Sequence, residues 1–236
     1  MRNHRLLPSC LVLLAAASLG PGSMPSAQAL GDAPGPGTWQ CWGDEGIQPC
    51  HHDDLAAVSL LSPDSGWAVG EHATILRWDG DTWRAVAAPV AADLNAVAAV
   101  TEHDAWAVGR LGTILHWNGD EWERLEPPTG QWLGGVASSS PADAWAVGGA
   151  GTILRWSGSE WAAFDSPTSA SLNAVAMAAP DDGWAVGSDV ALHWDGAAWS
   201  PVAVPTGSEL AALAIVAPDD IWAVGGNGVT FHWDGA

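Results

Sequence analysis

The chain has 236 residues, with 27 acidic side chains against 7 basic ones, every one of them arginine, for a formal charge of −20. A surface this acidic repels phosphate backbones and anionic leaflets, which excludes nucleic acid and membrane surface as partners. A hydrophobic content of 48%, with 17 Trp, 28 Gly and no Tyr, excludes disorder and leaves the tryptophan to be explained.

In chain order, residues 1–29 carry the marks of an export signal: a basic start at Arg2 and Arg5, an apolar core from Leu11 to Leu19, and the small-residue site Ala27-Gln28-Ala29. The apolar run is too short to span a bilayer, and Cys10 precedes it, so cleavage near Ala29 into a secreted or periplasmic protein is expected. Residues 30–37 are a Gly/Pro linker. Cys41 and Cys50 remain, and an even pair eight residues apart in an exported chain favours a disulfide, worth at most ~3 kcal/mol for so short a loop.

From here the chain repeats. Trp-Ala-Val-Gly occurs five times, at Trp67, Trp106, Trp145, Trp184 and Trp222, with spacings of 39, 39, 39 and 38 residues. A second set of tryptophans follows 10 or 11 residues later, at Trp78, Trp117, Trp156, Trp194 and Trp233. A third lies five residues further on, at Trp83, Trp122, Trp161 and Trp199. Each repeat restarts at a leucine: Leu55, Leu94, Leu133, Leu172 and Leu210. The segments are short, rich in β-branched and aromatic residues, and bounded by Gly, Pro, Asp and Asn, which is a strand pattern. Asp79-Gly80, Asn118-Gly119 and Asp195-Gly196 mark hairpins, as does Ser157-Gly158. Turns before Trp-Ala-Val-Gly are set by Pro and Asp, as in Ser62-Pro63-Asp64.

Four antiparallel strands in about 39 residues make one blade of a β-propeller. With strands lettered A (leucine start), B (Trp-Ala-Val-Gly), C (second Trp) and D (third Trp), residues 38–236 form an all-β five-bladed propeller whose blades start at 55, 94, 133, 172 and 210. The fifth blade lacks strand D after Trp233, and Gly37-Thr38-Trp39-Gln40 matches Asp81-Thr82-Trp83-Arg84. Residues 38–42 are therefore expected to complete the last blade and close the ring, removing an open sheet edge. The Cys41–Cys50 pair falls in the connection from that strand to blade one. Fifteen tryptophans then belong to three sets of five at the blade interfaces, and Trp42 and Trp132 stand outside the pattern.

The elements Trp-Ala-Val-Gly, Gly-Thr-Ile-Leu-[Arg/His]-Trp and Asp/Asn-Gly-x-x-Trp resemble the repeats of the photosystem II stability/assembly factor-like propellers, a family related to sialidase-type Asp-box repeats. The resemblance covers residues 38–236 and implies a propeller fold, with five blades here where the assembly factor has seven. Ser62-Pro63-Asp64 followed by Thr74-Ile75-Leu76-Arg77-Trp78-Asp79 also looks like a WD repeat, without that family's Gly-His dipeptide.

The residues just before each strand A sit at the channel mouth: Asp54, Asp93, Trp132, Ser171 and Glu209. Asp54, Asp93 and Glu209 fall on contiguous blades and could act as a glycosidase-type acid and base, ligate Ca²⁺ through oxygen alone, or merely cap strands. The B–C loops open on the same face and vary between blades: Glu71-His72, Arg110-Leu111, Gly149-Ala150, Ser188-Asp189 and Gly226-Asn227. Variation among uniform repeats is where a ligand site would be placed. Trp132 would either give a stacking platform for a sugar or cover the channel as a plug, with Trp42, Glu71, His72, Arg110, Asp189 and Asn227 as further ligand-binding candidates. Cys50-His51-His52-Asp53-Asp54 resembles a metal cluster by composition, but adjacent side chains on an extended segment point apart, so no metal site is expected. Arg77, His116, Arg155, His193 and His232 precede the second Trp of each blade and are expected to stack on neighbouring tryptophans. The opposite face concentrates acids in its turns and suits solubility or a basic protein.

The sequence thus points to an exported, monomeric, non-catalytic module, lectin-like or protein-binding, that takes a protein or glycan on its D–A and B–C loop face and needs no cofactor. The alternative is a glycoside hydrolase using Asp54, Asp93 and Glu209.

Overall fold

The computed structural model describes residues 53–205, 207 and 209–235. The segments expected as export signal (1–29), linker (30–37) and closing strand (38–42), with Trp42, Cys41 and Cys50, lie outside the described residues. Blade one is β1 (Leu55–Ser62), β2 (Ser65–Gly70), β3 (Ile75–Trp78) and β4 (Trp83–Ala85). Blade two is β5 (Leu94–Thr101), β6 (Asp104–Gly109), β7 (Ile114–Trp117) and β8 (Trp122–Leu125). Blade three is β9 (Leu133–Ser140), β10 (Asp143–Gly148), β11 (Ile153–Trp156) and β12 (Trp161–Ala163). Blade four is β13 (Leu172–Ala179), β14 (Asp182–Gly187), β15 (Val190–Trp194) and β16 (Trp199–Val202). Blade five is β17 (Leu210–Ala217), β18 (Asp220–Gly225) and β19 (Thr230–Trp233). Every blade is a separate antiparallel sheet with its strands in chain order, four strands in blades one to four and three in blade five among the described residues. This is an all-β five-bladed propeller.

In blades one to four strand B is buried on both faces, so it reads as a continuous apolar run rather than an alternating one. In blade two Ala105, Trp106, Ala107 and Val108 are all fully buried. The glycine that ends the run is dictated by space: its backbone is extended, but a Cβ on Gly70, Gly109, Gly148, Gly187 or Gly225 would lie within about 2 Å of the carbonyl oxygen of Asp54, Asp93, Trp132, Ser171 or Glu209. Between strands B and C four blades make a three-residue 3-10 turn, as at Arg110–Gly112. Blade four omits it, passing through Ser188 and Asp189 directly into β15, which accounts for the one repeat of 38 residues.

The tryptophans divide by strand. Those of strand C donate their indole N–H to the A–B turn of their own blade: Trp78 to Pro63, Trp117 to Glu102, Trp156 to Pro141 and Trp194 to Pro180, at 2.7 to 3.2 Å. Those of strand B pack against the next blade. Trp67 meets Trp117 at 4.8 Å and Trp122 edge-on at 4.9 Å, and Trp106 meets Trp156 and Trp161 at 4.9 and 5.1 Å. Trp145 meets Trp194 and Trp199 at 4.7 and 5.4 Å. The indole N–H groups of Trp106, Trp122, Trp145, Trp161, Trp184 and Trp199 are buried without a hydrogen-bond partner among the described residues. Each costs about 1–3 kcal/mol, while burying 150–250 Å² of ring returns about 4–6 kcal/mol, so packing decides the arrangement.

A cation or imidazole covers each strand-B tryptophan, as the sequence suggested. Arg77 lies 5.4 Å from Trp67 and Arg155 4.8 Å from Trp145, while His116, His193 and His232 pack on Trp106, Trp184 and Trp222 at 4.3, 4.7 and 4.3 Å. In four blades the first residue of strand B holds that group: Asp104 with His116, Asp143 with Arg155, Asp182 with His193 and Asp220 with His232. Burial pushes the Asp104 carboxyl up, opposed by the hydrogen bond and charge of His116.

In the C–D turns only the glycine has a positive φ, +94° at Gly80 and +103° at Gly119. The preceding side chain acts instead as a cap. Asp79 accepts the N–H groups of Asp81 and Thr82, Asn118 those of Asp120 and Glu121, and Asp195 those of Ala197 and Ala198. The Thr82 amide, Arg84 and the Asp81 amide hold the Asp79 carboxyl down at about 2.

Contacts between strands A run from β1 to β5, β5 to β9, β9 to β13 and β13 to β17. Among the described residues no comparable contact joins β17 to β1. Trp222 is accordingly 43% exposed, whereas the other strand-B tryptophans are at most 4% exposed.

Candidate functional site

At the channel mouth, the carbonyl before each strand A accepts the N–H that follows the strand-B glycine. The pairs are Asp54 with Glu71, Asp93 with Arg110, Trp132 with Gly149, Ser171 with Ser188 and Glu209 with Gly226, at 2.8 to 3.0 Å. These bonds bring the D–A and B–C loops side by side on one face, in every blade. Each B–C tip then turns through a left-handed residue that is not glycine: His72, Leu111, Ala150, Asp189 and Asn227, with φ of 51° to 58°. Ala73 in blade one, at 60°, does the same.

Asn95, Arg110, Trp132, Gly134, Asn173, Glu209 and Ala211 line a cavity of about 490 Å³ on this face. The structure therefore gathers three residues singled out from sequence: Trp132, Arg110 and Glu209. Glu71, His72, Asp189 and Asn227 sit exposed at the tips around it.

Trp132 is 36% exposed, and its ring rests over two glycines. A Cβ on Gly134 would come within 2.7 Å of Cζ3, and one on Gly149 within 2.6 Å of Nε1. The matching positions carry Ala56, Asn95, Asn173 and Ala211 in the first case, and Glu71, Arg110, Ser188 and Gly226 in the second. Only blade three has both glycines, so the seat is particular to the blade that carries the tryptophan.

Asn95 and Asn173, the second residues of their A strands, donate their side-chain amides at 2.7 Å to the carbonyls of Leu133 and Leu210 on the next blade. Each amide oxygen is left able to accept from a ligand. Sequence reasoning missed both asparagines; the available signal was the Leu-Asn pair that opens strands A of blades two and four alone.

The three carboxylates are used differently. The Asp93 carboxylate accepts the His72 N–H from blade one at 3.0 Å and faces Arg110 Nη1 at 3.3 Å. His72 Nδ1 also lies 2.8 Å from Asp53, so an acid from each side fixes that tip. Asp54 is exposed and lines no part of the cavity, whereas Glu209 does. Among the described residues, no three of His, Cys, Asp and Glu gather to hold a metal ion.

A propeller with a loop-lined mouth is the class that fold and site define. Among solved structures, the chain is similar to YCF48 bound to D1 peptide, with a TM-score of 0.62, 17% identity, and coverage of 81% of this chain and 67% of that one. It is likewise similar to YCF48 from Cyanidioschyzon merolae, with a TM-score of 0.62, 16% identity, and coverage of 79% and 71%. The WD40 beta propeller domain of Doa1 gives a TM-score of 0.64, 12% identity, and coverage of 78% and 66%. At these identities the likeness is one of fold. No protein-family model and no curated protein matches the chain.

Proposed function

We propose that this chain is an exported, non-catalytic binding module whose mouth takes a segment of a protein partner. The observation that carries the reading is Trp132: a large ring seated on Gly134 and Gly149 and open to a cavity whose polar groups are Asn95, Asn173, Arg110 and Glu209. An apolar platform with a few placed polar groups is what a ligand pocket requires. Leu111, 76% exposed beside Arg110, extends the apolar surface over the rim.

Arg110, the one cation lining the cavity among the described residues, lies 3.3 Å from Asp93, while Glu209 lines the cavity and Glu71 and Asp189 stand exposed on B–C loops of the same face. That balance favours a segment bearing Lys or Arg, whose charge would lie over the Trp132 ring opposite Glu209. A peptide ligand is also named for the similar YCF48 structure. Catalysis by Asp54, Asp93 and Glu209 is disfavoured because one of the three carboxylates is engaged with His72 and Arg110 and another stands off the cavity.

The test is an array of basic, neutral and acidic peptides together with glycans, probed with the wild-type protein and with Trp132→Ala. Basic peptides should bind, weaken with added salt, and lose about tenfold or more in affinity in the variant, the equivalent of about 1.4 kcal/mol. Binding to glycans alone, or turnover of a glycoside, would overturn the reading.

A further inference from the structure

We infer that the open face of blade five docks on the open face of blade one of a second copy, so that copies join head to tail through a junction of the kind the chain already makes four times. Each internal junction has two unlike halves. One blade turns its strand-B tryptophan and valine towards the next, as Trp67 and Val69 do in a cluster with Leu94, Val97, Trp117 and Trp122 of blade two. The pairing recurs at the three later junctions, where Leu133, Leu172 and Leu210 enter the clusters of Val108, Val147 and Val186.

At the two ends of the blade series each half is left open. Val224 is 46% exposed, against at most 2% for Val69, Val108, Val147 and Val186, and Trp222 stands open beside it. Leu55 is 53% exposed, against at most 1% for the leucines that open the other four A strands. Leu60 holds the place of Ala99, Met177 and Ile215, which pack into the junction clusters, yet it too is exposed. Val216 does the same on blade five, in the place of Val100. Seven large hydrophobic side chains are exposed among the described residues: Leu111 and Trp132 belong to the mouth, and the other five lie on these two faces. Apolar surface gathered in this way marks an interaction site. A second copy is the occupant because it brings the matching half, and four internal junctions show that such halves fit each other. The contact is heterologous, one face against a different one, and it leaves the D–A and B–C loops of both copies on the same side.

The experiment is sedimentation velocity on the full chain, with Val224→Asp breaking the blade-five face and Leu55→Asp the blade-one face. Both side chains are exposed, and circular dichroism with the unfolding midpoint shows that each variant keeps its fold. The wild-type mass should rise from one chain towards two or more between about 1 and 100 µM. Either variant alone should stay a monomer over that range. Mixed in equal amounts they should pair and go no further, because each supplies the face that the other lacks. Added salt should raise the associated fraction, since each copy carries a formal charge of −20. A wild-type monomer at every concentration, self-association of either variant, a mixture that does not pair, or association that salt dissolves would overturn the inference.

Discussion

Blade three and blade five carry the same strand-B tetrapeptide, yet Trp145 is fully buried and Trp222 is 43% exposed. The difference lies outside the blade. Trp145 receives Trp194 and Trp199 from blade four, while Trp222 has only its own His232 stacked upon it among the ring contacts of the described residues. A blade's central strand thus supplies a tryptophan, and the following blade supplies its burial. Stability of this kind is a sum over neighbouring units rather than a property of one shared core.

The largest test of that contrast is the pair Trp145→Ala and Trp222→Ala. Chemical or thermal unfolding should show a loss of about 3–5 kcal/mol for the first and about 1 kcal/mol for the second. Equal losses would show that Trp222 gains in solution the cover that Trp145 has. A second pair asks the same question of glycine. Gly148→Ala drives a Cβ to 2.0 Å from the Trp132 carbonyl and should cost about 2–3 kcal/mol or more, while displacing the Trp132 loop. Gly228→Ala, at φ +77° with nothing within 4 Å, should cost only its left-handed backbone, about 1 kcal/mol.

The smallest effect is expected where neighbouring blades have no say, at the Asp79 turn. Its carboxyl is held at about 2 against an ordinary 3.8, so the charged form favours the folded state. That contribution is complete above pH 4 and is lost as pH falls through 2. Asp79→Asn should keep the turn, since Asn118 makes the matching bonds in blade two, and should flatten the acid side of the melting-temperature profile between pH 4 and 2.

The blades were legible because a 39-residue period repeats every strand and its tryptophan in register. Likewise, the stacking of His116 and Arg155 on tryptophans followed from their place one residue before the strand-C tryptophan. The mouth was legible in position but not in side-chain use. That Asp93 would bind the His72 amide depends on a contact between blades 21 residues apart in sequence, and sequence spacing alone does not give the direction of a carboxylate. The two asparagines escaped notice for a related reason. They look like ordinary polar interruptions of strand A until their amides are seen to reach the next blade's carbonyls. Uniformity helped with the frame and concealed the exceptions.

The left-handed tips of the B–C turns have one more consequence. At this conformation a side chain works against folding by roughly 1–2 kcal/mol, and glycine would relieve the strain. Yet the five tips carry His72, Leu111, Ala150, Asp189 and Asn227, which share neither size nor charge. The rim is therefore the part of the molecule where one backbone conformation is held by five side chains of different chemistry, so the turn itself does not dictate which residue stands at each tip.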